Sequence, residues 1–386
     1  MAPLAATLAA TVALGVGVGL SRARSERERR RLREHELERR LGVLPGEPLG
    51  EALRRMALGQ IDLALEQLGA GEAGASGFGA TGNGAKGNGA PASNGASNAP
   101  DERAVHETRK AIKRVRALLR LLHDELGERA CAREHATLRT IAQRLSGARD
   151  AAVMLATLED LIERQPRKLG RRGGVRKLRA RLHAEHERAR EQALRDPAAR
   201  AEVLGELQAL RWRVSAWRLP ERKGIALVDA DLERVYRQGR ERGRRLAHGK
   251  GVGGHKRVIA FHRWRKRVKD LRYAAEMLDC VRPDAPGRSD GELRRLARRA
   301  DELAETLGEE HDLAIFAAHV RGAGKRDRGQ TWHTGRGTRA RLLRAVAKRR
   351  RALRKLALRR GKRLYGERPG RFMRGVRAAH SAGRRR

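Results

Sequence analysis

Two stretches of this chain repeat one pattern of ionisable residues. In "VHETRKAIKRVRALLRLL", starting at Val105, the polar positions are His106, Arg109, Lys110, Lys113 and Arg116. In "FHRWRKRVKDLRYAAEML", starting at Phe261, they are His262, Arg265, Lys266, Lys269 and Arg272, each 156 residues after its counterpart. At 100° per residue these positions fall within about 120° of one helix face, so each set forms a stripe roughly 15 Å long. Val105, Ile112, Val115, Leu119 and Leu122 cover the neighbouring face in the first copy, and Phe261, Val268, Leu271, Ala275 and Leu278 in the second.

Four fixed cations and a histidine in register suit one kind of partner, an extended anion whose successive oxyanions must meet several donors at once. A solvated basic face needs charge but no register. Within the stripes no carboxylate stands at matching spacing, and Glu107 lies off the first, opposite Arg263 of the second. The expectation is an anion-binding stripe, present twice. Its histidines would contribute as imidazolium, so binding should strengthen between pH 8 and 6. The Cys, carboxylate or further His partners that a metal would need do not stand together at ligand spacing around His106 or His262, so a metal site is not expected.

The elements that must carry these stripes are helical. The chain has 386 residues with 40% hydrophobic, 35% charged and only 3% aromatic residues, and no sustained alternation of period two. Approximate helices are expected at 103–126, 130–146, 149–164, 171–195, 200–213, 229–247, 256–279, 290–307, 311–321 and 336–365. A formal net charge of +42 calls for a polyanionic partner such as nucleic acid, an anionic membrane surface or a polyphosphate chain. Cys131 and Cys280 are the only cysteines, which argues against a disulfide framework and for a reducing compartment.

The organisation reads as an N-terminal extension over 1–68, a Gly-, Ala-, Asn- and Ser-rich linker over 69–100, a body over 101–366 and a loose basic tail over 367–386. Residues 3–20 carry no charge and are followed by a basic tract, which allows a weak membrane anchor and keeps the remainder in the cytoplasm. Leu49 to Leu68 shows apolar residues at helical spacing and should dock on the body. Within the body, "LSGARDAAVML" and "LGEEHDLAIFA" also correspond. They place Arg149-Asp150 opposite His311-Asp312, both read as helix starts at which an Asp caps backbone N–H groups. Two copies of a four-helix unit follow, about 101–213 and 229–366.

These pieces resemble the CHAD family, the histidine-containing α-helical domain associated with inorganic polyphosphate. The resemblance implies an all-α fold of two tandem four-helix bundles, related by pseudo-two-fold symmetry around a basic groove or pore. It also implies polyphosphate binding by the ten stripe residues, and location on polyphosphate granules. The halves depart from each other at Arg272-Tyr273, which has Arg116-Ala117 opposite it, and at Glu276, which faces Arg120. Two further basic faces, Arg172, Arg176 and Arg179 on one long helix and Arg341, Arg344 and Lys348 on another, are candidates to extend the surface.

Neither catalysis nor a cofactor is expected. A Walker loop is missing, and the stripes carry no carboxylates to hold Mg²⁺ for phosphoryl transfer. "SERERR" imitates the alternating acidic pattern of a triphosphate-tunnel enzyme, but lies in a helical tract. General nucleic-acid binding is the stronger rival, since charge alone supplies weak, salt-sensitive affinity. Base stacking would have to come from few aromatics, among them Trp264 and Tyr273.

Overall fold

The computed structural model describes residues 47–69, 102–145, 147–170, 172–195, 197–221, 224–249, 254–280, 291–322 and 336–381. Among them every regular element is a helix. In chain order these are α1 (Leu49–Gly69), α2 (Glu102–Leu121), α3 (His123–Leu126), α4 (Glu128–Arg144), α5 (Gly147–Arg164), α6 (Gly173–Arg195) and α7 (Pro197–Ser215). There follow α8 (Asp229–His248), α9 (Gly254–Cys280), α10 (Glu292–Gly322), α11 (Arg336–Leu364) and α12 (Pro369–Ser381). The two stripes ride on α2 and α9, which pack against each other.

Three expectations drawn from helical spacing need correction. The segments 290–307 and 311–321 form one continuous helix, α10, because burial of Leu303, Leu307, Glu310 and Leu313 on both sides of Gly308 overrides the low helix propensity of that glycine. His311-Asp312 therefore lies in mid-helix, and Asp312 caps nothing. The tail is not loose as far as Ser381: α12 buries Phe372, Met373 and Val376 against the body, and Phe372 stacks on Tyr236 at 4.0 Å between centroids. Finally, the expected helix over 103–126 breaks at Leu122, where α3 begins.

The buried apolar residues form two clusters, and these do not follow the two halves of the sequence. One gathers α1, α2, α4, α7, α8, α9, the first part of α10, the end of α11, and α12. The other joins α5 and α6, from the first half, to the second part of α10 and the first part of α11, from the second half. A tandem division at about residue 213 is thus not the division of the core. Period and polarity tell which face of a helix is buried, but not which helix buries it. Helix α1 belongs to the larger cluster: Leu53, Met56, Ile61 and Leu68 are buried, and Arg211 of α7 holds Asp62 at 2.5 Å.

The wall that carries the second stripe is fixed by Trp264. Its ring, 1% exposed, fits between Gly243 of α8 and Gly361 of α11. A Cβ at Gly361 would stand 2.5 Å from the ring, and one at Gly243 2.9 Å. Overpacking of this kind costs about 1–3 kcal/mol, so Gly361→Ala should lower the urea midpoint accordingly. Gly205 on α7 has open space at its Cβ position. Gly205→Ala should leave that midpoint unchanged or raise it slightly.

Candidate polyanion site

Because α2 and α9 pack together, their stripes face a common cavity of about 260 Å³. From α2 come Arg109, Lys113, Arg116 and Arg120, and from α9 His262, Arg265, Lys266, Lys269, Asp270 and Tyr273. Helix α10 closes the cavity with His311, Asp312 and Ile315, and α5 with Val153 and Met154. Among the described residues seven fixed cations therefore face two carboxylates.

Seven of the ten sequence candidates line this groove and three do not. His106 is exposed at the start of α2. Lys110 stands 3.6 Å from Glu107, one turn away, so the first stripe does have a neutralising carboxylate. Arg272 faces an adjoining cavity of about 410 Å³ together with Arg265 and Lys269, where it pairs with Asp301 and lies 2.6 Å from Glu276. The further candidates Arg172, Arg176, Arg179, Arg341, Arg344 and Lys348 line neither cavity. Arg179 is held by Glu159 at 2.5 Å. Arg149 and Asp150 lie in the first turn of α5, where their side chains fall outside the description.

Sequence reasoning missed Arg120, Asp270 and His311. Asp270 accepts from Arg120 at 3.0 Å and pairs with Arg267 at 2.9 Å, tying the two stripe helices together through their polar faces. His311 stacks on His262 with ring centroids 4.2 Å apart. The correspondence of Arg149 with His311 was a usable signal for that residue, but the helix-start reading turned attention away from it. Arg109 also has a positioning role, donating to the Ala142 and Leu145 carbonyls at the end of α4 at 3.0 and 2.7 Å.

The groove is electrostatically strained in the direction an anion relieves. Burial, with Arg116, Arg267 and Arg120 close by, lowers the Lys266 pKa. Burial likewise lowers Arg116, and brings Arg120 down to about 10. The same causes act on the histidines. Burial, then Lys266 and Arg265, bring His262 to about 4, and burial followed by His262 and the same cations brings His311 to about 3. With pKa values lowered this far both rings are neutral near pH 7, and among the described residues neither Nδ1 has a hydrogen-bond partner. The imidazolium expected from the sequence is therefore not the resting state.

Two pH effects follow. A histidine whose folded pKa lies below its unfolded value binds protons more readily when unfolded. Stability contributed this way is intact above about pH 6.5 and is lost as pH falls towards 4. His135, held at about 3 mainly by burial and then by Arg120 and Arg116, adds to the loss. Going from pH 7 to pH 5 should cost about 2 kcal/mol or more in all, read from urea unfolding. His262→Gln with His311→Gln should remove most of that slope. For the same reason, anion affinity should stay flat from pH 8 to 6.5 and rise below pH 6. A rise already complete at pH 7 would mean that the rings are charged at rest.

Among the described residues, the His, Cys and carboxylate trio compact enough for a metal ion is His123, Asp124 and Asp231. Arg234 already bridges both carboxylates, reaching Asp124 at 2.8 Å, so the cluster is an ion-pair network.

The fold and this site define an all-helical protein with a deep cationic groove built from two copies of one helix pattern. The CHAD domain family model matches residues 92–321, and the chain belongs to that family. The CHAD domain of the plant Ricinus communis has a similar fold, with a TM-score of 0.57 and 19% identity over 86% of this chain and 96% of that one. PptA from Streptomyces chartreusis gives 0.50 and 18% over 83% and 100%. Among curated proteins none matches significantly. Among the described residues no helix is long and apolar enough to cross a membrane, and residues 3–20 lie outside them.

Proposed function

We propose that this protein binds inorganic polyphosphate in the groove between α2 and α9, without turning it over, and so associates with polyphosphate granules. The observation that carries the reading is the convergence of seven cations, six of them half-buried, on one cavity that among the described residues holds only Asp270 and Asp312 as counter-charge. Family membership supports the choice of ligand. Pseudo-two-fold symmetry between the halves is part of the same proposal, supported by the facing positions of the two repeated stripes.

The non-catalytic reading rests on the groove's chemistry. Phosphoryl transfer draws on carboxylates that hold Mg²⁺ and orient a nucleophile. Asp270 is instead engaged by Arg120 and Arg267. Nucleic-acid binding as the main role loses the two stacking platforms of the second stripe, because Trp264 and Tyr273 are 1% and 5% exposed.

The test is binding of labelled long-chain polyphosphate to the full chain at physiological salt, competed with RNA and DNA of equal phosphate content. Polyphosphate should compete at least tenfold better than either. Equal competition by RNA would sink the reading. So would release of orthophosphate from the chain on addition of Mg²⁺, as far as non-catalysis is concerned.

A further inference from the structure

Helix α11 contains fourteen Lys and Arg and no acidic residue. Its cations divide by face. Arg349 reaches Glu309, Arg350 and Arg354 reach the buried Glu310, and Arg360 reaches Glu302, all on α10. On the opposite face Arg341, Arg344, Lys348, Arg351, Lys355 and Arg359 are all exposed. Among the described residues none of these six makes an ion pair. At 100° and 1.5 Å per residue they lie within an arc of about 80° and run about 27 Å along the helix.

Like charges three and four residues apart weaken a helix, and the neutralising acids were placed only where α11 meets α10. A merely solvated helix face carries mixed signs. None of the six residues lines the groove or the cavity adjoining it. Glu309 and Glu310 hold α11 on one side of α10, while His311, Asp312 and Ile315 turn the other side to the cavity. Helix α10 thus stands between two separate cationic surfaces.

We infer that the outer face of α11 is a second binding site for extended polyphosphate, independent of the groove, which lets one molecule bridge two chains or two segments of one chain. The inference rests on the groove reading above for the nature of the ligand. A phosphate chain without bases suits a stripe that carries no aromatic side chain. The exposed Trp212 is on α7, elsewhere on the surface. Small flanking residues such as Ala340, Ala347 and Ala352 offer nothing to insert into a bilayer. Two sites on one rigid body convert single-chain binding into cross-linking, with avidity on long chains that neither site has alone.

The experiment is a two-chain capture. Full-length protein is held on immobilised biotinylated polyphosphate at 150 mM salt, and a fluorescent polyphosphate is then offered. Wild type should retain the second chain. Arg351→Gln with Lys355→Gln and Arg359→Gln should retain it at least tenfold less, while affinity for the first chain changes less than threefold and the melting curve is unaltered. Retention equal to wild type by the triple variant overturns the inference. A wild type that binds RNA or DNA of equal phosphate content in place of the second polyphosphate overturns it too, and assigns the stripe to nucleic acid. Failure of wild type to bind the immobilised chain at all would instead strike the groove reading.

Discussion

Lys113→Glu combined with Lys269→Glu should weaken polyphosphate binding by more than 100-fold and leave the thermal transition close to its wild-type temperature. Both lysines line the cavity, one from each stripe helix, so the pair reverses charge on both walls. A hydrogen bond to a charged group contributes roughly 1.5–3 kcal/mol, and losing two such contacts accounts for at least that factor. Stability should change little, since both side chains are half-exposed and neither belongs to the apolar core. Fluorescence anisotropy and a thermal melt on the same preparation settle both halves. Unchanged affinity in a folded variant would reduce the stripes to solvated faces.

Salt should act almost as strongly. Each phosphate neutralised releases counterions, and the slope of log affinity against log salt is about 0.7 to 0.9 per contact by analogy with nucleic acids. Seven groove cations give a slope of magnitude roughly 5 to 6, and an affinity loss of roughly 10³- to 10⁴-fold between 50 and 200 mM salt. The ten stripe residues of the sequence would give a steeper line. Lys110 and Arg272 drop out of the count because they do not line the groove. A slope of one or two would mean that the groove holds only a chain end.

The helices and the site were legible in the sequence to different depths. Positions on one helix, such as Arg109 and Lys113, are related by a fixed rotation, so the stripes could be written down from spacing. Contacts between helices are not. Nothing local to Asp270 says that it meets Arg120, 150 residues earlier, and nothing local to His311 says that it stacks on His262. The charge state of the histidines was misread for a related reason. A pKa depends on burial and on neighbours from other helices, and a basic stripe viewed alone suggests neither. Helix α12 escaped notice because Arg and Gly dominate its composition, although Phe372, Met373 and Val376 already carried a helical spacing.

Helix α10 gives its first part to one hydrophobic cluster and its second part to the other, with 31 residues in unbroken helix, about 46 Å of rigid rod. A rod clamped at both ends cannot pivot, and the groove it closes cannot open by one half of the chain swinging away from the other. The gap is a gauge of fixed width. It admits or rejects a polyanion by thickness, and encounter needs no preceding isomerisation of the protein. Association should then follow a single exponential whose rate rises linearly with ligand concentration, at the pace set by diffusion and charge.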